Sequence, residues 1–182
     1  MNLPDDVQGL YYEFLFDVQR SIRYHNCRRD FFDTLQTFTQ IVSALLGTAT
    51  FTAILASAGK WVTLLASSLV AIFSITSLVI SPSKKSLLYA DLAKRFIDLK
   101  SQLIEKSEVT LEDIRSLTKK RLEIEKDEPP VLRTLDSYCH NEEVRAGDYD
   151  DGELVILQWY HYYLKNIIDV NTHTIRPIKH KN

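Results

Sequence analysis

Two uncharged runs set the terms for this chain: no Asp, Glu, Lys or Arg occurs from Thr34 to Gly59 or from Trp61 to Ser83, and Lys60 stands alone between them. A helix needs about 20 predominantly apolar residues to cross a hydrocarbon core about 30 Å thick, and each run supplies that length. Ala58-Gly59-Lys60 leaves room only for a tight turn between helices, with Gly59 providing a permissive backbone. The sequence therefore predicts a transmembrane helical hairpin over 34–83, with spans at about 36–58 and 61–81. The competing reading is a buried helical hairpin in a soluble core. It requires the charge-rich remainder of the chain to enclose both helices on every side.

Whole-chain averages conceal this pattern. Charged residues make up 25% of the sequence and the mean hydropathy is −0.14, because two polar arms dilute the hairpin. A signal peptide carries its apolar core within about the first 15–30 residues. Here Arg20, Arg23, Arg28 and Arg29 all precede the first run, so the hairpin is expected to be retained. Arg23, Arg28 and Arg29 flank the first span, Lys84 and Lys85 follow the second, and Lys60 alone occupies the turn. That asymmetry predicts a multi-pass protein with both termini in the cytoplasm. A net charge of −2 gives no reason to expect nucleic acid binding.

The segment 1–33 reads as a cytoplasmic or interfacial helix. Pro4, Asp5 and Asp6 suit a helix start, and Val7, Leu10, Tyr11, Phe14, Val18 and Ile22 recur at helical spacing on one face. Arg23, Arg28 and Arg29, interleaved with Phe31 and Phe32, suit the lipid headgroup region, as do Lys84 and Lys85 beyond the spans. Within the spans, Gln40, Ser43, Gly47, Thr50 and Ser57 form one small, mildly polar stripe, and Thr63, Ser67, Ser74 and Ser77 form another. Such faces let membrane helices approach closely, and in an oligomer one of them can line an aqueous path. No ionisable residue lies inside either span, which gives no support to a proton relay.

The segment 84–170 reads as a cytoplasmic helical region, followed by a basic tail over 171–182. Leu87, Leu88, Leu92, Phe96, Leu99, Leu103 and Ile104 predict a long amphipathic helix from about Ser83 to Lys106. Thr110 suits the N-cap of the next helix, with Glu112 and Asp113 in its first turn. Arg115, Lys119, Lys120 and Arg121 make a basic run that either binds an anionic ligand or forms a solvated face paired with Glu123, Glu125 and Asp127. Pro129 and Pro130 end that helix. Shorter helices are expected at Val131–Glu143 and Glu153–Val170, around a loop at Gly147–Gly152. The fold class is thus an all-α membrane protein, a two-helix hairpin with a cytoplasmic helical bundle built from the N- and C-terminal arms.

No catalytic residue, cofactor or metal site is predicted. Asp148, Asp150, Asp151 and Gly152 match only part of a calcium loop. Cys27 and Cys139 lie far apart in sequence, in segments assigned to the cytoplasm, which argues against a structural disulfide. Cys139-His140 has neither zinc spacing nor an orienting third group.

The order of these parts resembles the SLATT family, two-transmembrane effector domains associated with prokaryotic nucleotide-sensing and reverse-transcriptase conflict systems. The resemblance runs from about Arg20 to Leu164. It is carried by Arg23-Tyr24-His25 through Phe32, Leu92-Ala93-Lys94-Arg95-Phe96 through Leu99, and Glu125 through Glu143, including Glu128-Pro129-Pro130, Leu135-Asp136 and Cys139-His140-Asn141-Glu142. It implies a homo-oligomeric effector of the inner membrane that permeabilises the bilayer on an infection signal. It also implies a separate polypeptide that makes or senses a nucleotide signal. The alternatives are a non-catalytic anchor or scaffold that recruits a soluble partner, and a holin-like lysis protein, whose cytoplasmic portions are usually short.

Overall fold

The computed structural model describes residues 5–46, 48, 54, 56–57 and 59–178. The chain is mostly helical. In order, its elements are α1 (Asp5–Leu46), α2 (Lys60–Ile80), α3 (Pro82–Ile104), α4 (Leu111–Glu125), α5 (Arg133–Ala146), a 3-10 turn at Asp151–Glu153, β1 (Val155–Ile156), α6 (Trp159–Leu164), a 3-10 turn at Thr172–Thr174, and β2 (Arg176–Pro177). The chain divides into two compact units: Met1–Cys27 with Tyr89–Asn182, and Arg28–Leu88.

The first unit has a conventional core. Leu92, Phe96, Leu99 and Leu103 recur at steps of four and three on α3 and are all buried, as one face of a 3.6-residue helix requires. Phe14, Val18 and Tyr24 of α1, Ile114 and Leu117 of α4, and Leu135, Cys139 and Val144 of α5 are buried with them. The expected stripe on α3 needs correction at Leu87, Leu88 and Ile104, which are exposed, while Tyr89 and Ala93 take buried positions instead. Thr110 caps α4 through a complete capping box: its hydroxyl accepts from the Asp113 N–H, and the Asp113 carboxylate accepts from the Thr110 N–H. The N-terminus of α5 is capped from a distance. The Asp169 carboxylate accepts from the N–H groups of Arg133 and Thr134, both at 2.9 Å, and satisfies donors that have no intrahelical partner.

The expected helix over Glu153–Val170 is the main departure. Only Trp159–Leu164 is α-helical, and Val155–Ile156 pairs antiparallel with Arg176–Pro177. Side chains already fixed in the core hold this segment open. The Asn141 amide donates to the Val155 carbonyl at 2.7 Å and accepts from the Val155 N–H at 2.8 Å, mimicking a strand partner. His161, almost fully buried, accepts from the Gln158 N–H at Nδ1 and donates from Nε2 to the Val170 carbonyl. The stretch assigned to a basic tail consequently enters the fold as far as Ile178, whose N–H donates to the Leu154 carbonyl. Residues 179–182 lie outside the described residues.

In the second unit, α1 extends to Leu46 and α2 covers the second predicted span almost residue for residue. Much of the first predicted span, residues 47, 49–53, 55 and 58, lies outside the described residues. One helix, within Lys60–Ile104, is long and apolar enough to cross a membrane, and none of its most apolar window is buried. Ser81 ends α2 in the left-handed region at φ 46°, and Pro82 opens α3, the αL-then-proline sequence that stops a helix sharply. Phe38 packs against Phe73 with ring centroids 5.8 Å apart, and the Ser86 hydroxyl donates to Asp33.

Candidate functional site

In the first unit α1 presents polar residues to α4 and α5 at helical spacing. Gln19 and Arg23, one turn apart, both donate to Glu143, which is 2% exposed, at 2.7 and 2.5 Å. Lys100 donates to the other end of the Gln19 amide. Asp17 accepts from Arg121 at 2.6 Å, Arg121 also reaches Glu125 at 3.1 Å, and Arg20 lies 3.4 Å from both Asp17 and Asp136. Each carboxylate here has a cationic partner, as charges removed from water require.

Beside this seam lies a polar cleft of about 270 Å³, lined by Arg20, Tyr24, His25, Glu125, Glu128 and Asp136 among others. His25 is 1% exposed, stacks on Phe96 and meets Tyr24 edge-on. Its Nε2 lies 3.0 Å from Glu128, while its Nδ1 has no hydrogen-bond partner among the described residues. The Tyr24 hydroxyl accepts from the Leu132 N–H just after the proline pair. Burial pushes the Glu125 and Asp136 carboxyls above their ordinary range, against the opposing pull of Arg121 and Arg20 respectively. The cleft can hold and orient a polar group.

Both cysteines are free thiols, Cys27 half-buried and Cys139 buried. A hydrogen bond with the Cys27 side chain and burial together push the Cys139 thiol far up from its ordinary value. The Lys165 ammonium sits 3.2 Å from the centroid of the Tyr138 ring. His140 donates from Nε2 to the Glu153 carbonyl and meets Phe16 edge-on.

In the second unit, Gln40, Ser43, Ser57, Ser67 and Ser74 are exposed and Thr63 is half-buried. Gly47, Thr50 and the side chain of Ser77 lie outside the described residues. Some hydroxyls turn back on their own helix: Ser68 donates to the Leu64 carbonyl and Thr39 to Leu35. Thr63 and Ser67, with Lys60, Trp61 and Leu64, line an open cleft of about 610 Å³. The interface cations divide. Arg28 and Lys85 lie over the Phe32 ring at 4.8 and 5.3 Å, Arg29 pairs with Asp30, Lys84 is exposed, and Arg23 belongs to Glu143 in the first unit. In the basic run of α4, Arg121 is committed to Asp17 and Glu125 and Lys120 donates to Gln102, while Arg115 and Lys119 are exposed.

The cleft brings Tyr24 and His25 of α1 against Leu132 and Glu128, which flank the proline pair. Sequence reading took Arg23, Arg28 and Arg29 together as an interfacial group. Arg23 leaves it for Glu143, 120 residues away, which local spacing does not encode, whereas Arg28 and Arg29 have partners within four residues. Compared with known proteins, the chain finds no match among family models, curated sequences or solved structures.

Proposed function

We propose that this chain is a non-catalytic membrane effector that assembles as a homo-oligomer in the cytoplasmic membrane and permeabilises it on a signal, arresting or killing the cell. The observation that carries the reading is the uncovered apolar helix within Lys60–Ile104. Trp61, Leu65, Ile72, Ile75, Leu78 and Val79 are all exposed on it. A soluble monomer rarely tolerates so large an apolar surface, so lipid and further copies of the chain supply the cover. The opposed pairs Asp33–Ser86 and Phe38–Phe73 support a hairpin, since residue number rises on one strand of contacts as it falls on the other. Lys and Arg on both outer flanks support cytoplasmic termini. The exposed Ser67 and Ser74 are the residues assigned to the membrane path or to helix contacts. The SLATT resemblance supports a separate nucleotide-signal protein as the trigger, and the signal shifts a closed assembly toward a leaky one.

The test is to induce the chain in cells and follow growth with a membrane-impermeant dye and a potential-sensitive one. Depolarisation or dye entry before growth stops is the expected result, alone or with the genes that adjoin its own. Unchanged permeability in both conditions sinks the effector reading. A Ser67→Leu/Ser74→Leu variant then separates path from packing: assembly without leakage assigns the serines to the path, and assembly with leakage assigns them to packing.

A second reading, a membrane-anchored scaffold, is favoured by the first unit. It has its own buried core and leaves Trp159, Tyr163, Ile167 and Ile168 exposed, a surface suited to a soluble protein partner.

A further inference from the structure

We infer that the stretch 156–178 docks on the anionic headgroup surface of the membrane, with Trp159, Tyr163 and Ile167 entering the headgroup boundary and Arg176 meeting lipid phosphate. The inference rests on the membrane location in the reading above, and not on permeabilisation. All of these residues belong to the first unit.

Two short elements make the surface. Trp159 and Tyr163 stand one turn apart on α6, with ring centroids 6.4 Å apart. The Ile167 and Ile168 N–H groups both donate to the Leu164 carbonyl, so a further turn continues the stripe to Ile167. Trp159 and Tyr163 are 74% and 78% exposed, as open as Trp61 and Val79 on the apolar helix α2. The ribbon adds a second face. Ile156 opposes Arg176, and the Ile178 N–H extends the pairing to the Leu154 carbonyl. Residues opposed across an antiparallel pair share a face, as do residues two apart along a strand. Ile156, Arg176 and Ile178 therefore stand on one side of the ribbon, and all three are exposed.

Side-chain chemistry selects the occupant. Trp and Tyr join an apolar ring to a polar tip and concentrate where one end is dry and the other wet. Charge complements lipid phosphate: no Asp or Glu follows Asp169, whereas Arg176, Lys179 and Lys181 do. Of the two carboxylates between residues 153 and 178, Asp169 accepts from the Arg133 and Thr134 N–H groups, and Glu153 precedes the ribbon. A span in the same chain keeps the bilayer at high effective concentration, while a soluble partner has to be recruited from solution.

The experiment places the full chain in nanodiscs of phosphatidylcholine alone or with one quarter phosphatidylglycerol, some of the lipid carrying a spin label on a shallow acyl carbon. Trp61→Phe leaves Trp159 as the single tryptophan. In the anionic disc the lipid label is expected to quench Trp159 emission, and aqueous acrylamide to quench it less than in the neutral disc. Raised salt should reverse both changes. Arg176→Gln is expected to weaken the docked state about fivefold, the effect of one cation close to an anionic surface, with circular dichroism matching the parent. A Trp159 reached by acrylamide and by no lipid label in either disc overturns the inference and leaves the face to a soluble protein. Shielding from both quenchers assigns the face to a second copy of the chain and overturns it equally. Lipid quenching that is the same in both discs overturns the selection of anionic lipid. A chain that enters neither disc overturns the inference together with the membrane reading, whereas the other failures leave that reading standing.

Discussion

The two units of this chain use apolar side chains in opposite ways. In the unit formed by residues 1–27 and 89–178, Phe96, Leu92 and Leu135 are 0% exposed, and buried charges such as Glu143 have partners from distant helices. In the unit 28–88, Leu78 is 81% exposed, with Val79 and Trp61 nearly as open, while several hydroxyls bond to carbonyls of their own helix. The first pattern excludes water from carbon and satisfies polar groups through tertiary structure. The second satisfies polar groups locally and turns carbon outward, the arrangement that the proposed lipid surroundings require. The length of the uncharged runs separates the two patterns.

The widest gap between the units is expected from the same kind of truncation made in each. Phe96→Ala should destabilise the first unit by about 3–5 kcal/mol through lost burial and a residual cavity. Leu78→Ala should stay within about 0.5 kcal/mol. Thermal unfolding in detergent, followed by circular dichroism, measures both, and equal losses would break the contrast. Next in size is Ile72→Arg, at a residue 60% exposed. A water-facing helix accepts that change almost freely, whereas a lipid-facing one loses about 2.5–3.5 kcal/mol of insertion free energy. The variant should therefore leave the carbonate-resistant membrane fraction, and full retention there would remove lipid as the surroundings of α2.

Arg23→Ala sharpens the other half of the comparison. It strands Glu143, whose side chain is 3% exposed, with Gln19 as its remaining donor. Because Arg23 is itself 41% exposed, the loss should fall below the 3–5 kcal/mol of a fully buried pair, at about 2 kcal/mol. Chemical denaturation against Gln19→Ala and the double variant isolates the coupling. An additive double variant would mean that the three side chains do not act as a network.

Much of this was legible in the sequence. The uncharged runs located α2, helical periodicity located α3, and Thr110 and Pro129–Pro130 marked the bounds of α4, because each signal acts within a few residues. What escaped was set by contacts between distant segments. Val155 carries no mark that Asn141 will hold it extended, and nothing in the spacing announces that Asp169 caps α5. The polar seam was missed for a related reason. Arg23 reads as a headgroup-facing cation before the first span until Glu143 supplies its partner.

The smallest expected effect lies at the start of α4 and is a function of pH. The Lys106 ammonium, 2.7 Å away, and then the backbone N–H and hydroxyl of Thr110, bring the Asp113 carboxyl down from 3.8 to about 2. A carboxyl whose folded value is depressed stabilises the fold above its unfolded value and stops doing so as pH falls through the folded one. Asp113→Asn should therefore lower the thermal midpoint relative to the parent at pH values above about 4, with the difference shrinking between 3.8 and about 2 and absent below. The part due to Lys106 is an exposed ion pair, so salt should weaken it, while the part due to the capping box should survive salt and shrink in Thr110→Ala, which removes the hydroxyl and keeps the backbone N–H. A pH-independent difference would assign Asp113 a purely steric role in the cap. A difference lost entirely in salt would reduce the cap to charge alone.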